Sequence, residues 1–429
     1  LQKSIDEQSS SLLLQHACGN PNTMAKPELL APAGDFEKLK TALHYGADAV
    51  YLGSAAFSLR AMAGNFTSDE IKNAVEYTHN VKKKVYVTIN IFPHNKDLTA
   101  IKEHIEELKE LKPDGFIISD IGVISLAKEI APEIPIHVST QANITNVQAA
   151  KVYEKLGAKR LVLSRELTID EIKQIRDGVS LELECFIHGS ICISYSGRCY
   201  ISSFLANRSA NKGECTNSCR WNYTLMEEKR QGEYMPVYED DRGTYIMSSR
   251  DLCMIEHLDK LYRAGVNSFK IEGRTKGINY ISGVVKTYKD ALDSLINDNP
   301  YTVKQQWLDE LSMFSSRGFT TAMYLGKQSD TDYNHDEQQI YKKSRELLGI
   351  VKSTKDGEAT VLLRNSLNVG DEAEFLIKGK EITLFKITWM KDIDGEDITY
   401  ARNDDIVSIP VPEEANKNDI IRRCRPQIK

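Results

Sequence analysis

Residues 27–52 read Pro27-Glu-Leu-Leu-Ala-Pro-Ala-Gly-Asp-Phe-Glu-Lys-Leu-Lys-Thr-Ala-Leu-His-Tyr-Gly-Ala-Asp-Ala-Val-Tyr-Leu52. Two short apolar runs, 28–31 and 49–52, bracket an amphipathic stretch at 36–45, the order strand, helix, strand. Working outward, apolar runs recur at 85–91, 115–119, 136–139, 160–164, 181–187 and 268–271, with helical patterns at 68–81, 98–111 and 143–156 among them. Several of these strands are rich in Val and Ile and are joined by helices, which implies a parallel sheet covered on both faces. Eight such units predict the α/β class and a (β/α)8, TIM-like barrel, which typically takes about 250 residues. A doubly wound open sheet is the competing fold, since alternation does not show closure.

Two segments break the pattern. After the seventh strand comes a cysteine-rich insertion, 188–253, with an expected hairpin over 223–227 and 234–238. Loops that follow barrel strands sit at the C-terminal face, where barrel active sites are built. After helical patterns at 280–295 and 303–311 the texture turns to short strands, at 348–351, 358–363, 372–377 and 382–388, with Gly-containing turns between them. The expected division is a barrel over 24–337 and a small all-β, barrel-like domain over 338–429. Residues 1–23, Ser- and Gln-rich and without a signal-peptide layout, are expected to be an extraneous remnant without fixed structure, the native start being Met24.

Of the 429 residues, 41% are hydrophobic and 27% charged, the balance of a globular protein with a sizeable core. The absence of a long apolar run argues for a cytoplasmic protein rather than a membrane one. A formal net charge of −6 offers nucleic acid no global attraction, so any RNA contact must come from local basic patches.

Six of the eight cysteines fall between Cys185 and Cys253. In a chain of this size without a secretion layout, metal binding or catalysis is the expected use of such a group. Thiolates suit zinc or an iron–sulfur cluster. Cys215 and Cys219 have the spacing of a zinc knuckle, whereas Cys192 and Cys199, six residues apart in between, do not. Wide spacing with Gly and Ser nearby favours a cluster, whose sulfides take backbone amide donors. Any single cysteine is as well explained as a buried thiol; Cys185 is read as a strand residue.

The run Glu184-Cys-Phe-Ile-His-Gly-Ser-Ile-Cys192-Ile-Ser-Tyr-Ser-Gly-Arg-Cys199, with Arg208-Ser-Ala-Asn-Lys-Gly-Glu-Cys215 and Cys219-Arg-Trp221, closely resembles the signature of the collagenase-like peptidase family. The opening Pro27–Gly34 run, Ser139-Thr-Gln-Ala-Asn143, Lys270-Ile-Glu-Gly-Arg274 and Arg317-Gly-Phe-Thr-Thr321 resemble it too, so the likeness covers nearly everything from Met24 onward. Length and the C-terminal β domain make the chain most similar to the branch whose members hydroxylate tRNA. The resemblance implies a [4Fe–4S] cluster on Cys192, Cys199, Cys215 and Cys253, with Cys219 as a fifth candidate. It further implies 5-hydroxyuridine formation at the tRNA wobble position and prephenate as a required metabolite; an electron donor or redox partner stays open.

Polar residues at or just past the expected strands complete the set. Asn90, Asp120, Gln141, Arg165, Glu166, Glu184, Lys270, Glu272 and Arg274 would line the barrel mouth. Glu184, His188, Lys270, Glu272 and Arg274 are the candidate catalytic residues. Asn90, Gln141, Arg165, Arg198 and Arg250 are the candidate substrate contacts, with arginines suited to phosphates or to the carboxylates of prephenate. An internal ion-pair network is the alternative for Arg165, Lys270 and Arg274. Arg208, Lys212, Arg220 and the tail Arg422-Arg423-Cys424-Arg425 are candidate RNA contacts or ordinary solvated groups.

Two other readings stay open. A peptidase would need an apparatus, and neither a His-Glu-x-x-His helix nor a Gly-x-Ser-x-Gly elbow occurs. His188 with Cys192 would be its dyad, although a hydrogen bond that fixes the loop is the blander role for His188. The other alternative is an RNA-binding scaffold in which the metal is only structural.

Overall fold

The computed structural model describes residues 25–58, 65–192, 194–220, 238–240, 243–245, 250–298, 300–314, 318–326 and 344–425. The presumed remnant with Met24, the domain boundary at 337/338, Arg317 and nearly all of the expected hairpin at 223–238 lie outside the described residues.

Eight parallel strands form the barrel: β1 (Glu28–Pro32), β2 (Ala49–Gly53), β3 (Lys84–Ile89), β4 (Gly115–Ile118), β5 (Ile136–Val138), β6 (Arg160–Val162), β7 (Glu182–Gly189) and β8 (Ser268–Ile271). Each pairs with the next, and β8 pairs both with β1, Leu29 opposite Phe269, and with β7, Cys185 opposite Phe269. That double pairing closes the sheet and excludes the open doubly wound alternative.

The helices form where caps and apolar spacing agree. Asp35 accepts a hydrogen bond from Lys38 N and starts α1 (Phe36–His44), which buries Leu39, Ala42 and Leu43. Each such leucine contributes roughly 1.5–3 kcal/mol when fully buried. Capping boxes, Thr67 with Glu70 and Thr168 with Glu171, start α2 (Ser68–Asn80) and α6 (Ile169–Gly178). Between these run α3 (Leu98–Leu111), α4 (Ile121–Ile130) and α5 (Val147–Lys155). The helix expected from residue 143 begins only at Val147, because Asn143 has a left-handed φ of 61° and Asn146 supplies the cap. α7 (Leu258–Arg263) precedes β8, and α8 (Ile278–Asn297) and α9 (Gln305–Ser312) follow it.

The C-terminal unit is antiparallel, with strands β9 (Ser344–Lys355), β10 (Glu358–Leu363), β11 (Glu372–Leu376), β12 (Thr383–Lys386), β13 (Ile406–Pro410) and β14 (Ile420–Arg425). They lie in the order β12-β11-β14-β9-β10-β13 over a core that includes Leu348, Val361, Phe375 and Ile421. The last two strands add to those expected, and β14 takes Arg422 and Arg423 out of the expected solvated or RNA-binding tail. Arg422 is fully buried, donating to Glu310 of α9 at 2.6 and 2.7 Å and to Glu374 at 3.0 Å. Arg423 bonds Glu346 and Asp371. With Tyr45 Oη donating to Leu376 O and His44 meeting Asp419 at 2.7 Å, these contacts fix the β unit against the barrel.

Candidate active site at the barrel mouth

The interior of the barrel holds an ion network. Lys270 Nζ donates to Glu184 Oε1 at 2.8 Å, and Arg160 Nη1 donates to Glu184 Oε2 at 3.0 Å and to Glu28 Oε1 at 2.6 Å. Arg160 also pairs with Glu182, and Tyr86 Oη donates to Glu28. Burial alone would raise the Glu184 carboxyl; Lys270 and Arg160 hold it below the usual carboxylate range. Lys270 Nζ also lies 4.5 Å from the Tyr51 ring centre. Glu184 and Lys270 therefore sit inside the barrel among partners, not at its mouth as their sequence positions suggested. The internal network is the better description of this pair.

The mouth itself is built from the segments just beyond the strands. Arg165 lays its guanidinium 3.9 Å from the Phe186 ring centre, donates to Ser190 O at 3.4 Å and faces Glu272 Oε2 at 3.8 Å. Arg274 Nη1 donates to Ser58 Oγ at 2.9 Å and to Thr88 Oγ1 at 3.3 Å. The loop that carries Glu272 and Arg274 needs glycines around it. A Cβ at Gly53 would lie 2.0 Å from Arg274 Nη1, one at Gly34 2.1 Å from Arg274 O, and one at Gly189 2.5 Å from Glu272 O. Across the mouth, Asn90 Nδ2, Ser119 Oγ and Ser139 Oγ all donate to Gln141 Oε1, which orients that carboxamide.

The insertion is pinned to the same mouth. Ser196, buried, donates from N to Glu166 Oε1 at 2.6 Å and from Oγ to Asn143 Oδ1 at 2.7 Å. Arg198 Nε donates to Gln141 O at 2.9 Å, and its guanidinium lies 5.4 Å from the Phe92 ring centre. Asn211 Nδ2 donates to Cys199 O, and Lys212 pairs with Asp97 at 3.0 Å. Arg250 is half-buried, its Nε without a hydrogen-bond partner. Asp120 caps α4 by accepting from Val123 N at 3.0 Å.

His188 also departs from the expected role. The pairing of β7 with β8 shifts register beside it, between Lys270 and Ile271. Its ring packs among those of Tyr280, Tyr288 and Phe319, and burial lowers its pKa to about 4, so it is neutral near pH 7. Its Nδ1 meets Tyr288 Oη at 3.3 Å, which argues against a dyad with Cys192. The same Tyr288 Oη lies 3.5 Å from Cys253 Sγ, on a short strand, Asp251–Cys253, that pairs antiparallel with the end of β7. Burial pushes the Cys253 thiol up to about 11.

Cys192 is exposed, Cys199 buried, and Cys215 and Cys219 partly buried, while Cys185 is a buried strand residue as expected. In kind and place the thiols suit a soft-metal cluster: Cys192 and Cys199 flank the pinned turn, and Cys215 and Cys253 lie on segments beside it. In arrangement they do not, since no three His, Cys, Asp or Glu side chains among the described residues are gathered closely enough to hold a metal ion. No catalytic step is accordingly derived through one.

Sequence reading missed Ser58, Thr88, Ser119, Ser139, Ser164 and Phe186. The signal was available for three of them, a serine directly after the apolar run in Ile118-Ser119, Val138-Ser139 and Leu163-Ser164. A separate cleft of about 530 Å³ lies between α8, α9 and the β unit, lined by mixed charges such as Lys286, Asp290 and Lys380. It contains none of the mouth residues. Among the described residues no helix is long and apolar enough to cross a membrane.

Comparison with known proteins matches residues 34–334 to the family described as peptidase family U32, and residues 343–422 to the peptidase family U32 C-terminal domain. Similar relatives include tRNA hydroxylation protein P of Escherichia coli, 35% identical over 92% of this chain and 96% of its own. tRNA hydroxylation protein P1 of Bacillus subtilis is 37% identical over 88% of this chain and 90% of its own. A protein of Porphyromonas gingivalis named collagenase is 30% identical over 92% of this chain and 97% of its own. By both matched segments, the barrel and the β unit that follows it, the chain belongs to peptidase family U32.

Proposed function

We propose that this chain is an RNA-modifying enzyme that hydroxylates tRNA, forming 5-hydroxyuridine at the wobble position. The observation that carries the reading is likeness, along nearly the whole chain, to two proteins named for tRNA hydroxylation. The geometry supports it. A closed barrel presents Arg165, Gln141, Asn90 and Arg198 at one mouth, beneath an insertion held in place by Ser196. Arginine guanidinium groups there suit a phosphate, or the carboxylates of prephenate as co-substrate. Phe186 beneath Arg165 keeps that guanidinium flat and aimed.

Cys192, Cys199, Cys215 and Cys253 are proposed to hold a [4Fe–4S] cluster, which would supply redox chemistry when bound. Binding requires Cys253 to leave Tyr288 and ionise, and requires the insertion to bring the other thiols in. The peptidase alternative has relatives' names in its favour, a collagenase and an uncharacterized protease. Among the described residues its expected dyad is not formed: His188 meets Tyr288, and the Cys253 thiol is held protonated by burial. The test is mass spectrometry of tRNA nucleosides from cells lacking the protein, complemented with wild type or with Cys199→Ala. Wobble 5-hydroxyuridine should return with wild type alone; an unchanged level on deletion defeats the reading.

A further inference from the structure

Apolar rings normally leave water, because each buries 150–250 Å² on packing. Three aromatic side chains of the insertion do the opposite: Tyr195 is 57% exposed, Tyr200 76% and Phe204 78%. Tyr200 precedes a short helix, Ile201–Ala206, and its carbonyl accepts from Phe204 N at 3.0 Å. That i to i+4 spacing puts the two rings on one face, a turn apart. Tyr195 lies in the turn that Ser196 pins to Glu166, and Arg198, between Tyr195 and Tyr200, reaches Gln141 at the mouth. The rings are thus carried on a segment anchored directly to the candidate site.

Charge says what covers them. The chain as a whole carries −6, yet residues 190–220 contain Arg198, Arg208, Lys212 and Arg220 against the single carboxylate Glu214. Asp97, from outside the segment, pairs with Lys212. Exposed aromatics interleaved with cations in an otherwise acidic protein match an anionic ligand with flat apolar faces. Unpaired nucleotides have both, and proteins that bind single strands use this combination of stacking and backbone attraction.

We propose that Tyr200 and Phe204, with Tyr195 beside them, form a platform on which unpaired bases of the RNA substrate stack as the target nucleotide enters the barrel mouth. The inference rests on the RNA reading above and adds which residues hold the RNA and in what form. Paired bases present no free face, so the platform selects loops over duplex.

The test is equilibrium binding of the full chain to unfractionated tRNA and to a fully paired RNA duplex at one fixed salt concentration. Tyr200→Ala and Phe204→Ala should each weaken tRNA binding about 5- to 100-fold, the worth of one base–aromatic stack, and leave duplex binding unchanged. Tyr200→Phe and Phe204→Tyr should bind as wild type, whereas Tyr200→Leu and Phe204→Leu should not, because leucine is apolar without a π face. Both side chains being exposed, the thermal transition should not move. If wild type binds tRNA and the alanine variants bind it equally well, the platform is wrong and the RNA reading stands. If wild type binds no tRNA, the RNA reading itself fails and the platform with it. If the alanine variants instead turn a sedimenting dimer into a monomer, the rings are a contact between copies and the proposal is overturned.

Discussion

Lys270 Nζ lies 2.8 Å from Glu184 Oε1 inside the barrel, and both side chains are almost wholly buried, at 5% and 0% exposure. Arg160 holds the other carboxylate oxygen at 3.0 Å, so Glu184 is a shared anion between two cations. Removing one partner of a buried pair leaves uncompensated charge, at a cost of about 3–5 kcal/mol.

Lys270→Ala should therefore lower stability by about 3 kcal/mol. Denaturant unfolding should show an earlier midpoint, while the folded fraction retains RNA-modifying activity. A variant of unchanged stability that loses activity would instead return Lys270 to the substrate.

Arg165 is only partly covered and rests on Phe186 at the mouth. Arg165→Ala should reduce tRNA hydroxylation roughly 10- to 100-fold, the worth of a charge-assisted hydrogen bond of about 1.5–3 kcal/mol. Arg165→Lys should not restore it, because an ammonium lacks the planar fork. Turnover with purified protein, alongside a thermal melt that stays in place, decides this.

Arg422 joins the β unit to α9 through Glu310 and Glu374. Arg422→Ala leaves two buried carboxylates without that cation and should cost about 3–5 kcal/mol. Calorimetry should show one transition for wild type and two for the variant, as barrel and β unit lose their coupling. A variant that melts like wild type would show the pair to be dispensable.

His137, fully buried on β5, has its pKa held well below the ordinary value, first by burial and then by the Arg160 cation. The unfolded chain therefore takes up a proton that the folded one refuses. Stability from this group is complete above about pH 6.5 and declines as pH falls below it. The carboxylates Glu28 and Glu184, both lowered, lose their share only further down, below the ordinary carboxylate value. His137→Phe should make the first of these slopes shallower in stability-versus-pH curves, the remainder coming from other histidines lowered by burial such as His188, and leave the second.

Anaerobically prepared wild type should contain iron and sulfide near the stoichiometry of one cluster. Cys199→Ala should lose both, and Cys219→Ala should retain most. Stoichiometric zinc in place of iron would refute the cluster, and the reverse ranking would move a ligand to Cys219.

The strands were legible because a parallel barrel covers both faces of every strand. Gly115–Ile118, for example, is apolar and buried along its whole length and ends where polar residues begin. The insertion and its cysteines were legible for the converse reason, as a stretch with no such periodicity. Closure was not, since it depends on β8 meeting β1 as well as β7, and the β8–β1 partners, such as Glu28 and Ser268, lie more than two hundred positions apart. Nor was the depth of a side chain in the barrel. Glu184 and Arg165 both looked like strand-end residues, yet strand stagger puts one among buried cations and the other at the mouth. A register shift beside His188 packed its ring among tyrosines, and pairing of a final strand buried Arg422. Local composition fixes which segments become strand or helix, because propensity and burial pattern act over a few residues. Which polar groups meet is decided by register and closure, which no local pattern encodes.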